Sequence, residues 1–274
     1  MVKTMKSLAA VNIRQYERAV DSLEEYRDIV DMAWQILFRF SRPGVWKVKG
    51  TSALCMVIGS DQGMCGQFNE QLISEATEKV GELASKGLNV IFWSVGEKVS
   101  GAIADMGYSG GEQFSAPGNL TAILRLVQVV IPTIESWRSS RGIERFYLCH
   151  NVLDGGRYTQ TFYRILPLDR DWAQQVGTRE WPGRCLPLLG LPYEEMFTHL
   201  FEQYLFISFY RAFAQSLASE NAARLMAMQA AEKNIFELEE ELKAQFSEQR
   251  QASITNELLD IISGFEALSG EELF

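Results

Sequence analysis

Two long parts of this sequence contain neither proline nor glycine. Residues 1–42 and 193–263 lack both, although the chain has 7 prolines and 21 glycines. These two residue types most often interrupt helices, and helices in globular proteins average about 11 to 12 residues. Uninterrupted ranges of this length predict two long helices of the coiled-coil type.

Histidine and cysteine are scarce, which argues against several kinds of active site. The chain has only His150 and His199, and its four cysteines are widely separated and form no Cys-x-x-Cys pair. A zinc knuckle needs clustered cysteine or histidine ligands, and a Ser-His-Asp triad needs a histidine beside its nucleophile. We therefore predict no catalytic residue, no metal site and no cofactor.

Positive charge and long apolar runs are also in short supply. The chain has 26 lysines and arginines against 35 aspartates and glutamates, a formal net charge of −9 and a pI near 5.0. A surface that neutralises nucleic-acid phosphates has the opposite sign. No uninterrupted apolar run approaches the roughly 18 residues of a membrane span, and the N-terminus lacks a secretory pattern. We expect a soluble intracellular protein that binds no nucleic acid.

The first long helix is predicted over residues 1–42. It is expected to end at Ser41–Gly44, because Pro43 cannot continue a helix. Its apolar residues recur at steps of three, four and seven, as the a and d positions of a coiled coil do. They are Tyr16, Val20, Leu23, Val30, Trp34 and Leu37.

The second long helix is predicted over residues 192–268. It begins at Pro192, which suits the first turn of a helix, and would hold roughly 75 residues and span on the order of 110 Å. A helix of that length has to project from a chain of this size, so its apolar stripe needs a partner. The stripe comprises Ala231, Ile235, Leu238, Leu242 and Phe246. The first helix is the expected partner.

The middle of the chain, residues 51–189, is predicted to form an α/β (Rossmann-like) domain between the two helices. Buried strands are predicted at 51–59, 88–93 and 143–151, and helices at 67–85, 96–106 and 119–140. Apolar strands that alternate with helices predict parallel βαβ units. Residues 158–166 follow an Asp-Gly-Gly turn and are expected to form an antiparallel edge strand, and residues 171–190 are expected to be rich in loops. The predicted fold class is a parallel βαβ sheet inserted between terminal helices that form an antiparallel coiled coil.

The loop Gly59–Gly66 lies between a predicted strand and a predicted helix, where nucleotide-binding folds hold phosphates. It lacks both the Gly-x-Gly-x-x-Gly pattern and a Gly-Lys-Ser/Thr ending. A structural turn is favoured, with Asp61 as a turn former or helix cap. Cys65 has no histidine nearby in sequence to act as its base. An α/β nucleotide-binding module with helical oligomerisation arms remains the alternative interpretation.

Three motifs in this arrangement carry a resemblance to a known family. Residues 3–10 read Lys-Thr-Met-Lys-Ser-Leu-Ala-Ala, and residues 59–66 read Gly-Ser-Asp-Gln-Gly-Met-Cys-Gly. On the second long helix, residues 219–228 and 250–258 form the third motif. With two terminal helices around an α/β domain, the chain resembles the gamma subunit of F-type ATP synthases, the rotor of their central stalk.

The resemblance implies a mechanical role without catalysis by the chain itself. The family's gamma subunit turns inside a ring of three alpha and three beta subunits, and it couples ion flow through the membrane sector to conformational cycling of the catalytic beta sites. Its expected partners are the alpha3-beta3 hexamer, the epsilon subunit and the membrane c-ring. The expected location is peripheral, on the cytoplasmic face of a bacterial inner membrane, with membrane association only through the complex. A coiled-coil scaffold unrelated to ATP synthase is a further alternative.

The resemblance also assigns roles to individual residues. The implied rotor–stator contacts with the beta ring are Met5, Arg250, Gln251, Thr255 and Glu257. The implied bearing tip, which turns in the apolar sleeve of the ring, consists of Ile254, Leu258, Ile261, Ile262, Phe265 and Leu268.

Three departures from the family pattern accompany these motifs. Gln62 replaces the usual arginine of the loop, and Phe265 and Glu266 replace small residues near the tip. Only four residues precede Met5, where the family has about twenty, so about 30 Å of helix would be missing at 1.5 Å per residue. A misassigned start codon, a truncation and a variant subfamily each account for this. The first two departures point towards a divergent branch of the family, and proton and sodium coupling both stay open.

Overall fold

The computed structural model describes residues 2–40, 50–108, 110–188 and 190–270. A five-stranded sheet with helices on both faces lies between two long helices, as predicted. The elements are α1 (Val2–Phe40), β1 (Ser52–Ile58), α2 (Phe68–Ser85), β2 (Asn89–Val95), α3 (Glu97–Asp105), β3 (Gln113–Phe114), α4 (Leu120–Arg141), β4 (Arg145–Asp154), β5 (Arg157–Leu166), α5 (Arg170–Thr178) and α6 (Tyr193–Gly270). The predicted end of the first helix at Ser41–Gly44 lies outside the described residues.

The sheet has the strand order β3-β2-β1-β4-β5. β1 pairs in parallel with both β2 and β4, and β5 is the antiparallel edge strand that the Asp-Gly-Gly turn predicted. Gly155 and Gly156 form this turn with φ values of 55° and 84°, which favour glycine. The two-residue strand β3 was not predicted, because two residues are too few for a period to appear.

The two faces of the sheet are buried in two separate apolar clusters. Along β1, Leu54, Met56 and Ile58 face α4 and α6, whereas Ala53, Cys55 and Val57 face α2 and α3. Side chains alternate between the faces of a strand, so burial on both faces requires an unbroken apolar run. The sequence of β1 shows this run, which is why its strand was predicted correctly.

The predicted loop over residues 171–190 is wrong in its first part, which forms α5. Asp169 caps this helix, since its Oδ1 accepts a hydrogen bond from the Asp171 N–H at 3.0 Å. Ala173 and Val176 are buried in an apolar cluster with Trp34 of α1 and Leu200 of α6. A helix of 9 residues is too short to stand out from the surrounding prolines and glycines, and tertiary packing stabilises it.

Within the described residues, α4 is the helix that is long and apolar enough to span a membrane by length and composition alone. Its Ile123, Val127 and Val130 are buried against the sheet in the first apolar cluster. Asn119 caps its start, where Oδ1 accepts from the Ala122 N–H at 2.8 Å, and Gly142 ends it with a φ of 63°. The apolar face of α4 thus packs into the core of the α/β domain.

We predict that Gly96→Ala destabilises the fold, whereas Gly101→Ala in the same region does not. Gly96 precedes α3 with a φ of 101°, and an added Cβ would lie 2.7 Å from the Ser60 carbonyl carbon and oxygen. Backbone strain of this kind costs about 1–3 kcal/mol. Gly101 lies within α3 with no atom within 4 Å of an added Cβ, so alanine should stabilise by about 0.4–1 kcal/mol. Urea unfolding of both variants measures the difference, and equal stabilities would contradict it.

Candidate functional site: the exposed part of the long helix

The two long helices pair antiparallel, and their contacts set a definite register. Near one end, Lys6 Nζ contacts Glu232 Oε2 at 2.9 Å. Towards the other end, the Tyr26 hydroxyl donates a hydrogen bond to Gln203 Oε1 at 2.7 Å. The residue numbers rise on α1 as they fall on α6, which confirms the predicted antiparallel arrangement. The start of α1 therefore lies beside Glu232.

Beyond Glu232, α6 continues past the start of α1. All residues from 233 to 265 are exposed, and this part of the helix is about 50 Å long at 1.5 Å per residue. The predicted stripe begins at the half-buried Ala231, but from Ile235 onwards it is exposed, and Leu242 and Phe246 are 61% and 68% accessible. The expectation that the first helix covers this stripe is wrong from Ile235 onwards, because Lys6, near the start of α1, already lies beside Glu232.

The predicted contact residues of the second helix all lie in this exposed part. Arg250, Gln251, Thr255 and Glu257 are exposed on α6, and the Thr255 hydroxyl donates to the Gln251 carbonyl at 2.8 Å. At about 100° per residue, these four and the predicted tip residues occupy one half of the helix circumference. The opposite half carries mainly small and polar residues, among them Asn256 and Asp260. This part of α6 is therefore amphipathic.

Met5, the remaining predicted contact residue, lies elsewhere. It is half-buried on α1, next to the Lys6–Glu232 ion pair. Arg250 follows Glu232 by 18 residues, which separates the two positions by about 27 Å along the axis. The structure thus places Met5 at a different level of the helix pair from Arg250 and Gln251. Among the predicted tip residues, Phe265 is exposed, whereas the side chain of Leu268 lies outside the described part of the chain.

The loop Gly59–Gly66 attaches the α/β domain to α6. Cys65 and Phe68 pack on Ala223 of α6, and the Ser216 hydroxyl donates to the Ile58 carbonyl at 3.0 Å. The backbone N–H of Ser60 donates to Asn69 Oδ1 at 3.1 Å. A phosphate cradle needs loop N–H groups that point to a ligand, and here the N–H groups of Gly59 and Ser60 are both used within the fold. This geometry favours the structural turn.

Asp61 caps α3, and a helix cap is one of the two roles predicted for it. Its Oδ1 accepts hydrogen bonds from the backbone N–H groups of Glu97 and Ala116, both at 3.0 Å. Cys65 is buried, and burial raises the pKa of its thiol, which makes it a poor nucleophile at neutral pH. In the described ranges, no group of three or more His, Cys, Asp or Glu side chains is placed to hold a metal ion.

A buried ion pair on α6 adjoins this attachment, and sequence reasoning assigned it no role. Arg224 Nη2 contacts Glu220 Oε1 at 2.6 Å, and the two side chains are 13% and 9% exposed. Burial raises the pKa of Glu220, and the Arg224 charge opposes that rise. The spacing of Glu220 and Arg224 is visible in the sequence, where the two charged residues stand among alanines of the motif over residues 219–228. Ion pairs at this i, i+4 spacing are most often exposed to solvent, so the spacing did not indicate a buried pair.

Comparison with known proteins agrees with this architecture. The family model described as ATP synthase matches residues 1–268. Two curated relatives, each called ATP synthase gamma chain, come from Glaesserella parasuis (26% identical over 275 residues) and Lawsonia intracellularis (28% identical over 280 residues). Each alignment covers 98% of this chain and 93% of the relative.

Two solved structures have a similar fold. A chain from the Euglena gracilis mitochondrial ATP synthase, in a structure of OSCP, F1 and c-ring, matches with a TM-score of 0.60 and 16% identity, covering 97% of both chains. A chain from the central stalk and c-ring of the Tetrahymena thermophila mitochondrial ATP synthase matches with a TM-score of 0.58 and 21% identity. That match covers 84% of this chain and 99% of the other.

Proposed function

This chain belongs to the ATP synthase family as a gamma-type subunit of the central stalk, and we propose that it is the rotor that couples ion flow to ATP synthesis or hydrolysis. In this role α6 turns inside an alpha3-beta3 hexamer, and rotation of the membrane c-ring drives the three catalytic beta sites through their conformations. The chain itself catalyses nothing and needs no cofactor. The observation that carries the proposal is the exposed, amphipathic part of α6 beyond Glu232.

The geometry of α6 suits a rotor because the helix presents different chemistry on its two sides. A partner that contacts one state of a ring better than another shifts the population of those states. A helix with apolar and hydrogen-bonding residues on one half and small polar residues on the other makes unequal contacts with three surrounding beta subunits. This inequality drives the cycling, and it requires no reactive group on the rotor.

We assign the contacts as follows. Arg250, Gln251, Thr255 and Glu257 hydrogen-bond the beta ring, and Met5 faces it at a second level. Ile254, Leu258, Ile261, Ile262, Phe265 and Leu268 form the bearing tip. Apolar side chains make no directional bonds, so they let a surface turn against another with little resistance. The α/β domain contacts the c-ring and the epsilon subunit, which holds the chain at the cytoplasmic face of the bacterial inner membrane through the complex alone.

We expect the full chain to co-purify with an alpha-beta hexamer at one copy per ring and to hydrolyse no ATP alone. Native mass spectrometry of the co-expressed subunits measures the ratio, and a steady-state assay of the isolated chain measures hydrolysis. Stable binding to a single beta subunit, or hydrolysis by the chain alone, would contradict the rotor. Tight nucleotide binding to the isolated chain in calorimetry would instead support a nucleotide-binding module.

A further inference from the structure

A cavity of about 700 Å³ lies where the helix pair meets the edge of the sheet. Five elements contribute to its wall, namely α1, β4, β5, α6 and α5 with the segment that follows it. The rotor function gives this cavity no role, because the cavity lies between the helix pair and the sheet and not on the exposed part of α6. Its size is that of a small-molecule site.

His150 of β4 lines this cavity with a nitrogen that lacks a partner. The residue is 1% exposed, and its Nε2 lies 3.1 Å from Gln215 Oε1, which accepts the hydrogen of Nε2. Among the described residues, none hydrogen-bonds His150 Nδ1. Burial, and secondarily the charge of Arg211, lowers the pKa of His150 to about 4, so the ring is neutral at neutral pH. Nδ1 is then an acceptor that requires a donor.

Arg211 of α6 supplies a second unsatisfied group in the same wall. Its Nη2 contacts Glu24 at 3.4 Å near the surface, whereas its Nε is buried and has no hydrogen-bond partner within the described part of the chain. A buried donor left unpaired costs about 1–3 kcal/mol. Two residues that line the same cavity thus carry an unpaired acceptor, His150 Nδ1, and an unpaired charged donor, Arg211 Nε.

The remaining charged groups of the wall largely balance one another. Arg27 contacts Asp28 at 3.7 Å, and burial raises the pKa of Asp31 while the charges of Arg27 and Arg179 oppose that rise. Tyr163 packs edge-on against the His150 ring at 5.7 Å, and burial keeps its phenol protonated by raising its pKa. Three arginines thus face two aspartates around the cavity, and the unpaired donor belongs to Arg211.

We propose that this cavity binds inorganic phosphate, which keeps at least one O–H at neutral pH, whereas a phosphate monoester has mostly lost its O–H there. The phosphate O–H donates to His150 Nδ1, and an anionic oxygen accepts from Arg211 Nε. Both unsatisfied groups are then paired by one ligand. Sulfate has a similar size and charge but no O–H at this pH. It therefore leaves His150 Nδ1 unpaired, and a sulfate oxygen would face the lone pair of this nitrogen.

Nuclear magnetic resonance of the imidazole nitrogens tests the proposal in the full chain, which has only two histidines. Inorganic phosphate should shift the His150 Nδ1 resonance in a saturable way and leave the exposed His199 unchanged. Glycerol phosphate, a monoester that has mostly lost its O–H at neutral pH, should bind more weakly than inorganic phosphate in a second titration. Sulfate should bind at least about tenfold more weakly, as the loss of one hydrogen bond to a charged group predicts.

Arg211→Gln and Arg138→Gln form a matched pair for the same titration, because the two arginine side chains are 38% and 41% exposed. Arg211→Gln should weaken phosphate binding about tenfold or more, and Arg138→Gln on α4 should not change it. Two results in the unmodified protein would overturn the proposal. One is a His150 Nδ1 resonance that phosphate does not shift, and the other is equal affinity for phosphate and sulfate. These outcomes are independent of the rotor function.

Discussion

Arg224→Leu should destabilise the chain by about 3–5 kcal/mol at neutral pH, because it leaves the Glu220 carboxylate buried without its partner. Arg224 is 13% exposed and Glu220 9%, and the distance between their charged atoms is 2.6 Å. The pair lies next to Ala223, where α6 contacts the loop after β1. Its loss therefore weakens the attachment of the α/β domain to the long helix.

Lys243→Leu is the matched control for this substitution. Lys243 pairs with Glu239 at 2.7 Å and at the same i, i+4 spacing, but the two side chains are 72% and 58% exposed. Exposed ion pairs contribute little because water already solvates both charges. Urea unfolding of the two variants should show a large loss of stability for Arg224→Leu and almost none for Lys243→Leu. Equal losses would show that burial does not distinguish the pairs.

The loss in Arg224→Leu should grow as the pH rises. Burial raises the pKa of Glu220 above its ordinary value of 4.5, and removal of Arg224 raises this pKa further. A group whose folded pKa is raised contributes stability below the unfolded pKa, and this contribution is lost as the pH rises through the folded pKa. The variant should therefore approach the parent protein at acidic pH, where Glu220 is protonated in both, and differ most at a pH above the raised pKa of Glu220 in the variant. A loss independent of pH would contradict this account.

Replacing both Arg250 and Gln251 with alanine should lower ATP synthesis by the assembled complex about tenfold or more. A hydrogen bond to a charged group contributes about 1.5–3 kcal/mol, and each 1.4 kcal/mol changes a rate about tenfold. Both residues are exposed on α6, so their loss should leave the stability of the isolated chain unchanged. The measurement is ATP synthesis by complexes reconstituted into vesicles, with subunit content checked by gel.

Gln249→Ala combined with Asn256→Ala provides the control for that double variant. At about 100° per residue, these two amides lie on the side of α6 opposite to Arg250 and Gln251. Both are exposed, so the control removes similar side chains from the same level of the helix. Synthesis should stay close to that of the parent complex. If both double variants left coupling untouched, the assigned contacts would be wrong and a scaffold role would gain support.

The agreement between sequence and structure is greatest where one physical signal dominates. The long helices followed from the missing helix breakers, and β1 followed from an apolar run that both faces of a sheet require. α5 was missed because nine residues near prolines and glycines carry too weak a period, and packing on Trp34 of α1 stabilises it. Glu220 and Arg224 stand within the motif over residues 219–228, but sequence spacing does not reveal that they form a buried pair.

By itself the sequence determined the type of molecule, namely a chain with two long helices, an α/β domain between them and the motifs of a rotor family. These features are local, because helix breakers, apolar periods and short motifs act over a few residues. Only the tertiary structure decided the register of α1 on α6, which exposes the helix beyond Glu232 and separates Met5 from Arg250. It also brought His150 and Arg211 into one wall. Such contacts depend on how distant elements pack, and a linear pattern does not encode the distance between them.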